Sequence, residues 1–241
     1  MQNIYHEILQ AKKANKKLLA ILLDPDKVDL QNIKSLISKI KQAPATHIFI
    51  GGSLVLNNLI DQIISELKKE IQLPILLFPG NPSQISNEAH GILFLSLLSG
   101  RNPDFLIEHQ VKAAPILKKT NLEIISTGYI LIESGNKTAV ASVSKTIPLP
   151  RHNAEIAVDT ALAGEFLGNK LIYLEAGSGA KLPVPLETIS LVAKNISIPL
   201  IVGGGITNFD GINEAFLAGA DLVVIGTAFE NNPNFFTNFN L

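Results

Sequence analysis

The feature that most constrains this chain is a repeated alternation between short, predominantly apolar segments and longer amphipathic ones. The apolar segments are residues 18–23, 47–50, 74–77, 91–95, 122–132 and 170–174, and two more begin at Leu200 and Leu222. Segments with helical spacing, such as Leu30, Ile33, Ile37 and Ile40, lie between them. Uninterrupted apolar strands separated by helices are typical of parallel strands that are buried on both faces. Eight such strands predict one closed (β/α)8 barrel, a TIM barrel, over residues 1–241, rather than an open doubly wound sheet.

The repeat is modified in two places. Residues 78–90 contain two prolines and too few apolar residues for a covering helix, which predicts that the third helix of the barrel is short or missing. After the fifth strand, residues 134–136 (Ser-Gly-Asn) resemble a turn, and residues 138–143 favour β structure. We therefore expect a β-hairpin after strand 5.

Composition excludes several classes of protein. Twenty Lys and Arg residues balance 21 Asp and Glu residues, which argues against nucleic-acid binding. The chain has no cysteine, so disulfides, thiolate zinc sites and cysteine nucleophiles are excluded. No apolar run approaches the roughly 20 residues that cross a bilayer, and the N-terminus lacks the blocks of a signal peptide. We expect a cytoplasmic protein with at most peripheral membrane contact.

Two neighbouring strand ends have the composition of an anion site. The strand from Leu200 runs into Gly203, Gly204 and Gly205, and the strand from Leu222 runs into Gly226 and Thr227. Bare backbone N–H groups near a helix N-terminus favour phosphate, although tight turns alone could also require these glycines. The spacing fits neither a dinucleotide fingerprint nor a P-loop, so a phosphate monoester is the better match.

A third strand end combines acid, hydroxyl and glycine. The segment Tyr173–Gly179 places Glu175 and Ser178 just beyond an apolar strand, with Gly177 and Gly179 allowing close backbone approach. Tyr173 and Ser178 can donate to phosphate oxygens. We expect Glu175 to act as a general base for a substrate hydroxyl; the alternative is a helix-capping cluster with a solvated carboxylate.

Polar residues also follow the first, second and fourth strands. Asp24, with Ser53 from the neighbouring strand end, is a candidate Mg²⁺ site, because Mg²⁺ takes one or two carboxylates and completes its shell with water and phosphate oxygens. The alternatives are helix capping by Asp26 or Asp29 for this segment and an N-cap for Ser53. Lys27 and Arg101 are candidate cations for a phosphate group, or else ordinary surface charges.

At this point the motifs together resemble the geranylgeranylglyceryl phosphate synthase family, which includes bacterial heptaprenylglyceryl phosphate synthases. The resemblance rests on Asp24-Pro-Asp-Lys, Gly51-Gly-Ser53, Val202-Gly-Gly-Gly-Ile206, Ile225-Gly-Thr227 and above all residues 173–180. It implies a modified barrel that lacks its third helix, Mg²⁺ at Asp24 and Ser53, and a homo-oligomer, dimeric or larger. It also implies transfer of a polyprenyl group, such as geranylgeranyl from its diphosphate, to sn-glycerol 1-phosphate. The implied glycerol-phosphate site comprises Tyr173, Leu174, Glu175, Ala176, Gly177, Ser178, Gly179, Gly203, Gly204, Gly205, Gly226 and Thr227.

A long isoprenoid tail requires an apolar trough. We expect it on the side opened by the missing helix, along Leu77, Phe78, Leu95 and Leu97. Two other interpretations remain: a phosphate-binding barrel that isomerises or cleaves sugar phosphates, and a non-catalytic sensor of a phosphorylated ligand. The first would need a second acid/base or a Schiff-base lysine, and the second leaves the paired Asp24 and Glu175 without a use.

Overall fold

The computed structural model describes residues 3–57, 59–232 and 235–236. Eight parallel strands form a closed barrel in which each strand pairs with its neighbours in sequence and β8 pairs with β1. The strands are β1 (Leu18–Leu23), β2 (His47–Ile50), β3 (Ile75–Leu77), β4 (Gly91–Leu97), β5 (Glu123–Leu131), β6 (Leu171–Glu175), β7 (Leu200–Gly203) and β8 (Leu222–Ile225). The predicted TIM barrel is therefore confirmed.

The helices surround this barrel. They are α1 (Ile4–Lys13), α2 (Ile33–Gln42), α3 (Ile60–Glu70), α4 (His109–Leu117), α5 (Ala139–Ser144), α6 (Ala154–Phe166), α7 (Leu186–Asn195), α8 (Phe209–Ala218) and α9 (Thr227–Asn231). The π-helical turn Asp104–Glu108 leads into α4. Within the described part of the chain, no helix is both long enough and apolar enough to span a bilayer.

The thin segment between β3 and β4 behaves as predicted. Residues 78–90, all of which the structure describes, contain the 3₁₀ turn Pro82–Gln84 and no α-helix. Pro82 fixes its own φ and cannot donate a backbone hydrogen bond, so it suits the first position of a short turn better than a helix interior. One side of the barrel is consequently left without a covering helix.

The predicted hairpin after strand 5 is wrong. Residues 139–144 form α5, with Thr138 extended before it and Lys145 in the left-handed region after it. β5 already pairs with β4 on one side and β6 on the other, so a closed barrel offers no free edge to a hairpin. The hydroxyl groups of Ser142 and Ser144 donate to the carbonyls four residues earlier, which supports the helix from within.

Side chains alternate along the strands between two apolar layers. Leu19, Ile21 and Leu23 of β1 face the surrounding helices, whereas Leu18 and Ala20 face the barrel interior. α1 closes the N-terminal end of that interior with Ile4 and Ile8, both fully buried. The polar strand ends are thereby left at the opposite, C-terminal face. In the C-terminal tail, Phe235 and Phe236 are buried, whereas residues 233, 234 and 237–241 lie outside the described residues.

Candidate active site

The C-terminal ends of the strands surround a cavity of about 470 Å³. It is the place where a TIM barrel carries its active site. Most of the residues that the sequence singled out line it: Asp24, Lys27, Ser53, Tyr173, Glu175, Gly177, Ser178, Gly179, Gly204, Gly205, Gly226 and Thr227. Leu174, Ala176 and Gly203 are not in the lining, and all three are buried in or next to strands. Their contribution is to position the neighbours that do line the cavity.

Glu175 is the buried carboxylate of this cavity. It ends β6 and is 5% exposed. Burial raises the pKa of Glu175 to about 7, although the N–H of Gly177 donates to its Oε1 at 2.6 Å and works against that rise. Burial disfavours the charged form of an acid, and a hydrogen bond to the carboxylate favours it. At neutral pH this group can therefore either accept or release a proton.

The glycines after β7 make room for this carboxylate. A Cβ on Gly204, whose φ is +78°, would collide with Oε1 of Glu175 and would stand 2.6 Å from the Gly177 nitrogen. A Cβ on Gly203 would stand 3.1 Å from Oε2 of Glu175 and would also press on the hydroxyl of Tyr173. The pKa of Tyr173 is raised well above its ordinary value, first by burial and then by the charge of Glu175. The sequence predicts these glycines to form an anion cup; the structure adds that they accommodate the Glu175 carboxylate.

The cavity that Glu175 lines also contains two hydroxyl groups. Ser178 Oγ and Thr227 Oγ1 lie 3.3 Å apart, although they come from the ends of different strands. Gly226 precedes Thr227 as the residue that caps the short helix α9. Two hydroxyls beside glycine backbone form a polar pocket that suits the oxygens of a phosphate monoester.

Across the cavity, Asp24, Lys27 and Glu230 form a charged group. Lys27 Nζ is 2.7 Å from Glu230 Oε2 and 3.8 Å from Asp24 Oδ2, and Glu230 also accepts the Asp24 N–H at 3.3 Å. Partial burial lowers the pKa of Lys27, but the hydrogen bond and charge of Glu230, together with the charge of Asp24, outweigh this and raise it. Glu230 was missed in the sequence because it lies in no motif; only its position three residues after Thr227 could have pointed to it.

The metal prediction depends on Asp24 and Ser53. Capping does occur in this segment: Asp29 accepts the Gln31 N–H at 2.9 Å, as the alternative predicts, and Asp24 Oδ1 accepts the Asp26 N–H at 3.1 Å. Among the residues that the structure describes, no group of three or more His, Asp or Glu side chains could enclose a metal. A carboxylate and a hydroxyl at the rim of one cavity nevertheless suit Mg²⁺, which takes few protein ligands when phosphate oxygens supply the rest.

Gln84 fixes the backbone next to Ser53. Its buried amide donates to Gly52 O at 2.9 Å, and its oxygen accepts from the N–H groups of Gly52 and Gly80 at 3.3 Å each. The turn that replaces the missing helix thus ties the ends of β2 and β3 together.

Arg101, a predicted phosphate cation, is exposed and lies outside the cavity lining. Its guanidinium donates to the carbonyls of Leu98 and Gly100.

An apolar groove runs from the cavity along the side that lacks a helix. Its lining includes Phe78, Leu95 and Leu97, as predicted, and Phe105 and Ala113, which were not. Leu77 does not line it, because its side chain points into the layer beneath the helices. The groove and the cavity share the residues Gly52, Ser53, Phe78, Tyr129 and Val140. A ligand with a polar head and an apolar tail could therefore occupy both at once.

Comparisons with known proteins give a consistent result. The profile of the PcrB family matches residues 10–239. A geranylgeranylglyceryl phosphate synthase from Flavobacterium johnsoniae is 66% identical over 98% of this chain and 97% of its own length. One from Thermococcus kodakarensis is 42% identical over 92% of this chain and 88% of its own. The crystal structure of (S)-3-O-geranylgeranylglyceryl phosphate synthase from Thermoplasma acidophilum with sn-glycerol-1-phosphate superposes with a TM-score of 0.92, at 32% identity, covering 98% of this chain and 95% of that one.

Proposed function

Because the chain belongs to the PcrB family and has geranylgeranylglyceryl phosphate synthases as relatives, we propose that it joins sn-glycerol 1-phosphate to a polyprenyl group. The donor is a polyprenyl diphosphate, with geranylgeranyl diphosphate as the first candidate, and the products are an ether and diphosphate. The observation that carries the proposal is the buried Glu175, set between a polar pocket and a cavity that continues into an apolar groove.

The acceptor fits the Glu175 side of the cavity. Its phosphate would lie against Gly204, Gly205 and Gly226 and accept hydrogen bonds from Ser178 and Thr227, each of which contributes about 1.5–3 kcal/mol to a charged partner. The glycerol hydroxyl would then point toward the carboxylate of Glu175. This arrangement keeps the carboxylate away from the phosphate and next to the atom that must lose a proton.

The reaction forms one C–O bond and breaks another. The glycerol hydroxyl oxygen bonds to C1 of the prenyl group, the C1–O bond to diphosphate breaks with its electron pair leaving on oxygen, and the hydroxyl proton passes to Glu175. A base whose pKa is about 7 suits this transfer at neutral pH, because it is substantially ionised and still holds a proton well. Gly203, which has no side chain, leaves room beside β7 for both the Tyr173 hydroxyl and the Glu175 carboxylate.

We include Mg²⁺ in the proposal, held by Asp24 and Ser53 together with diphosphate oxygens. When bound, Mg²⁺ neutralises the charge that develops on a departing diphosphate. Lys27, which lines the same end of the cavity, supplies a second positive charge to that group. Arg101 stays a weaker candidate, since its guanidinium is turned toward backbone carbonyls outside the cavity.

The prenyl tail would follow the apolar groove past Phe78, Leu95 and Leu97.

The test of the proposed function is to incubate the purified protein with labelled glycerol 1-phosphate and prenyl diphosphates of graded length, with Mg²⁺ or with a chelator. We expect an ether product whose formation requires the metal, and the preferred donor reports the tail length. Turnover of a sugar phosphate without a prenyl donor would favour an isomerase or aldolase, and binding without turnover would favour a sensor.

The role of Glu175 is tested by Glu175→Gln. We expect kcat to fall about 10²- to 10⁴-fold, as for loss of a general base, while KM for glycerol 1-phosphate changes little. Glu214→Gln, an exposed position on α8, serves as the control and should match the parent enzyme. A Glu175→Gln enzyme with unchanged kcat would rule out the base role.

A further inference from the structure

Glu230 occupies a place that the proposed chemistry leaves unexplained. It lies on α9, three residues beyond Thr227, with its side chain 15% exposed and in contact with Lys27 at 2.7 Å. Its other carboxylate oxygen accepts the N–H of Asp24 at 3.3 Å. The short helix α9 thus carries both Thr227, one of the two cavity hydroxyls, and Glu230, which contacts Lys27 and Asp24.

A carboxylate at this position opposes the binding of an anionic substrate. Lys27 lies between two carboxylates, Asp24 and Glu230, so this end of the cavity carries more negative than positive charge when it is empty. Two like charges at close range raise each other's energy, and a diphosphate group brings several more. The closer carboxylate, Glu230, holds the Lys27 ammonium that the diphosphate would use.

On the basis of the proposed function, we propose that Glu230 is a positioning residue that holds Lys27 in the empty enzyme and competes for it with the diphosphate. Binding of the donor draws the Lys27 ammonium from Glu230 Oε2 to a diphosphate oxygen. Release of the product diphosphate returns it. Glu230 therefore weakens the hold of the site on diphosphate, which lets the charged product leave after each turnover.

The geometry supports exchange rather than a fixed structural bridge. The Lys27 side chain is about half exposed and its 3.8 Å contact with Asp24 is loose, so its ammonium can move without unpacking the core. Glu230 keeps its contact with the Asp24 N–H whichever partner Lys27 has. An ion pair with one exposed member contributes only modestly to stability, which makes it replaceable by a ligand.

The experiment is a double-mutant cycle on the whole chain. Isothermal titration calorimetry measures the affinity of each variant for inorganic diphosphate at constant Mg²⁺. The variants are Glu230→Gln, Lys27→Met and the combination, with Lys27→Gln as a second form of the lysine variant. Asp210→Asn is the control for the loss of one negative charge, because Asp210 is an exposed residue on the first turn of α8. Inhibition of prenyl transfer by added diphosphate gives an independent measure of the same affinity.

We expect Glu230→Gln to bind diphosphate about two- to fivefold more tightly, the range that release of one such ion pair allows. Lys27→Met should bind more weakly, adding Glu230→Gln to it should give a clearly smaller gain than in the parent because only direct repulsion is then relieved, and Asp210→Asn should match the parent. Two results would overturn the inference: no gain in Glu230→Gln, or the same gain in the Lys27→Met background, which would mean general repulsion. Because prenyl transfer by the parent enzyme is measured in the same series, failure of the proposed function is seen separately as absence of the ether product.

Discussion

At the scale of single residues, the chemistry depends on how the fold shifts the pKa of Glu175. Its value of about 7 in the native state means that activity should rise with pH as the carboxylate becomes the base. We expect kcat/KM for glycerol 1-phosphate to increase through about pH 7 and then level off, and Glu175→Gln to lose this limb of the profile. A parent profile that is flat between pH 5.5 and 8 would contradict the assignment.

The same shift has a consequence for stability. Between the ordinary pKa of 4.5 and the native value of about 7, the unfolded chain ionises Glu175 while the folded protein does not, so stability falls as pH rises. Glu175→Gln removes this loss and should be the more stable protein above pH 7, by about 3 kcal/mol. The two proteins should differ little at pH 4.5. Urea unfolding of both at each pH measures the difference.

The variant and the parent must be compared at each pH, because another buried group changes the pH dependence of stability in the opposite direction. Burial lowers the pKa of His47 to about 4, so His47 makes the fold lose stability as pH falls from 6.5. That contribution is present in both proteins and cancels in their difference. A gain for Glu175→Gln that is the same at pH 4.5 and pH 8 would show that ionisation is not its source.

A comparison of alanine variants at Gly204 and Gly168 distinguishes the need for space beside Glu175 from the need for a positive φ. Gly204→Ala must adopt φ near +78° and also place a methyl group against the Glu175 carboxylate. Gly168 has φ near +90° with nothing within 4 Å, so Gly168→Ala carries the backbone strain alone, about 1–2 kcal/mol. We expect Gly204→Ala to lower kcat/KM at least 10²-fold and Gly168→Ala to leave it unchanged, as measured by steady-state kinetics. Equal activity in both would mean that Glu175 has room to move.

At the scale of secondary-structure elements, apolar strands were predictable because burial on both faces leaves an unmistakable pattern. Residues that act through distant contacts were not: Glu230 meets Lys27 only because the barrel closes β8 onto β1. The strand predicted at α5 is wrong because Val140 and Val143 favour β structure locally, while the pairing of both edges of β5 is a property of the whole sheet. Helix α3 begins only at Ile60, because the Asp26 carboxylate accepts the N–H groups of Leu56 and Asn57 and holds the preceding loop.

The groove beside β4 makes a prediction about the donor alone. Leu95→Gln places an amide in the path of the prenyl tail, and loss of that apolar contact should raise KM for a long polyprenyl diphosphate about tenfold. KM for glycerol 1-phosphate and turnover of a five-carbon allylic diphosphate should not change. Ile107→Gln, on a side chain that is 58% exposed and outside the groove, is the control. An equal effect on short and long donors would place the tail elsewhere.

At the scale of the whole molecule, the two ends of the barrel have different roles. The proposed active site lies at the C-terminal ends of the strands, and the contacts that hold α1 lie at the N-terminal ends. α1 closes the N-terminal end: Glu123 accepts the N–H groups of Ile4 at 2.5 Å and Tyr5 at 2.9 Å. The other end of α1 is fastened by Lys12, whose ammonium lies 2.9 Å from Asp221 Oδ2. These contacts lie at the opposite end of the strands from Glu175, so they can be changed without touching the cavity.

Asp221 gives the sharpest test of this separation. Its carboxylate is nearly buried and accepts from both Lys12 Nζ and the Leu200 N–H, each at 2.9 Å, so Asp221→Ala leaves two donors without their partner at the start of β7. The buried Leu200 N–H loses its partner at a cost of about 1–3 kcal/mol, whereas the partly exposed Lys12 ammonium can turn to water, so we expect urea unfolding to show a loss of about 1–3 kcal/mol. Glu70→Gln, which breaks the fully exposed pair with Lys41, should leave the unfolding midpoint unchanged. Both variants should keep the kcat/KM of the parent at a temperature where they are folded. A drop in kcat/KM for folded Asp221→Ala would mean that the N-terminal closure also sets the geometry of the catalytic face, because strain at the start of β7 would then reach the glycines at its end.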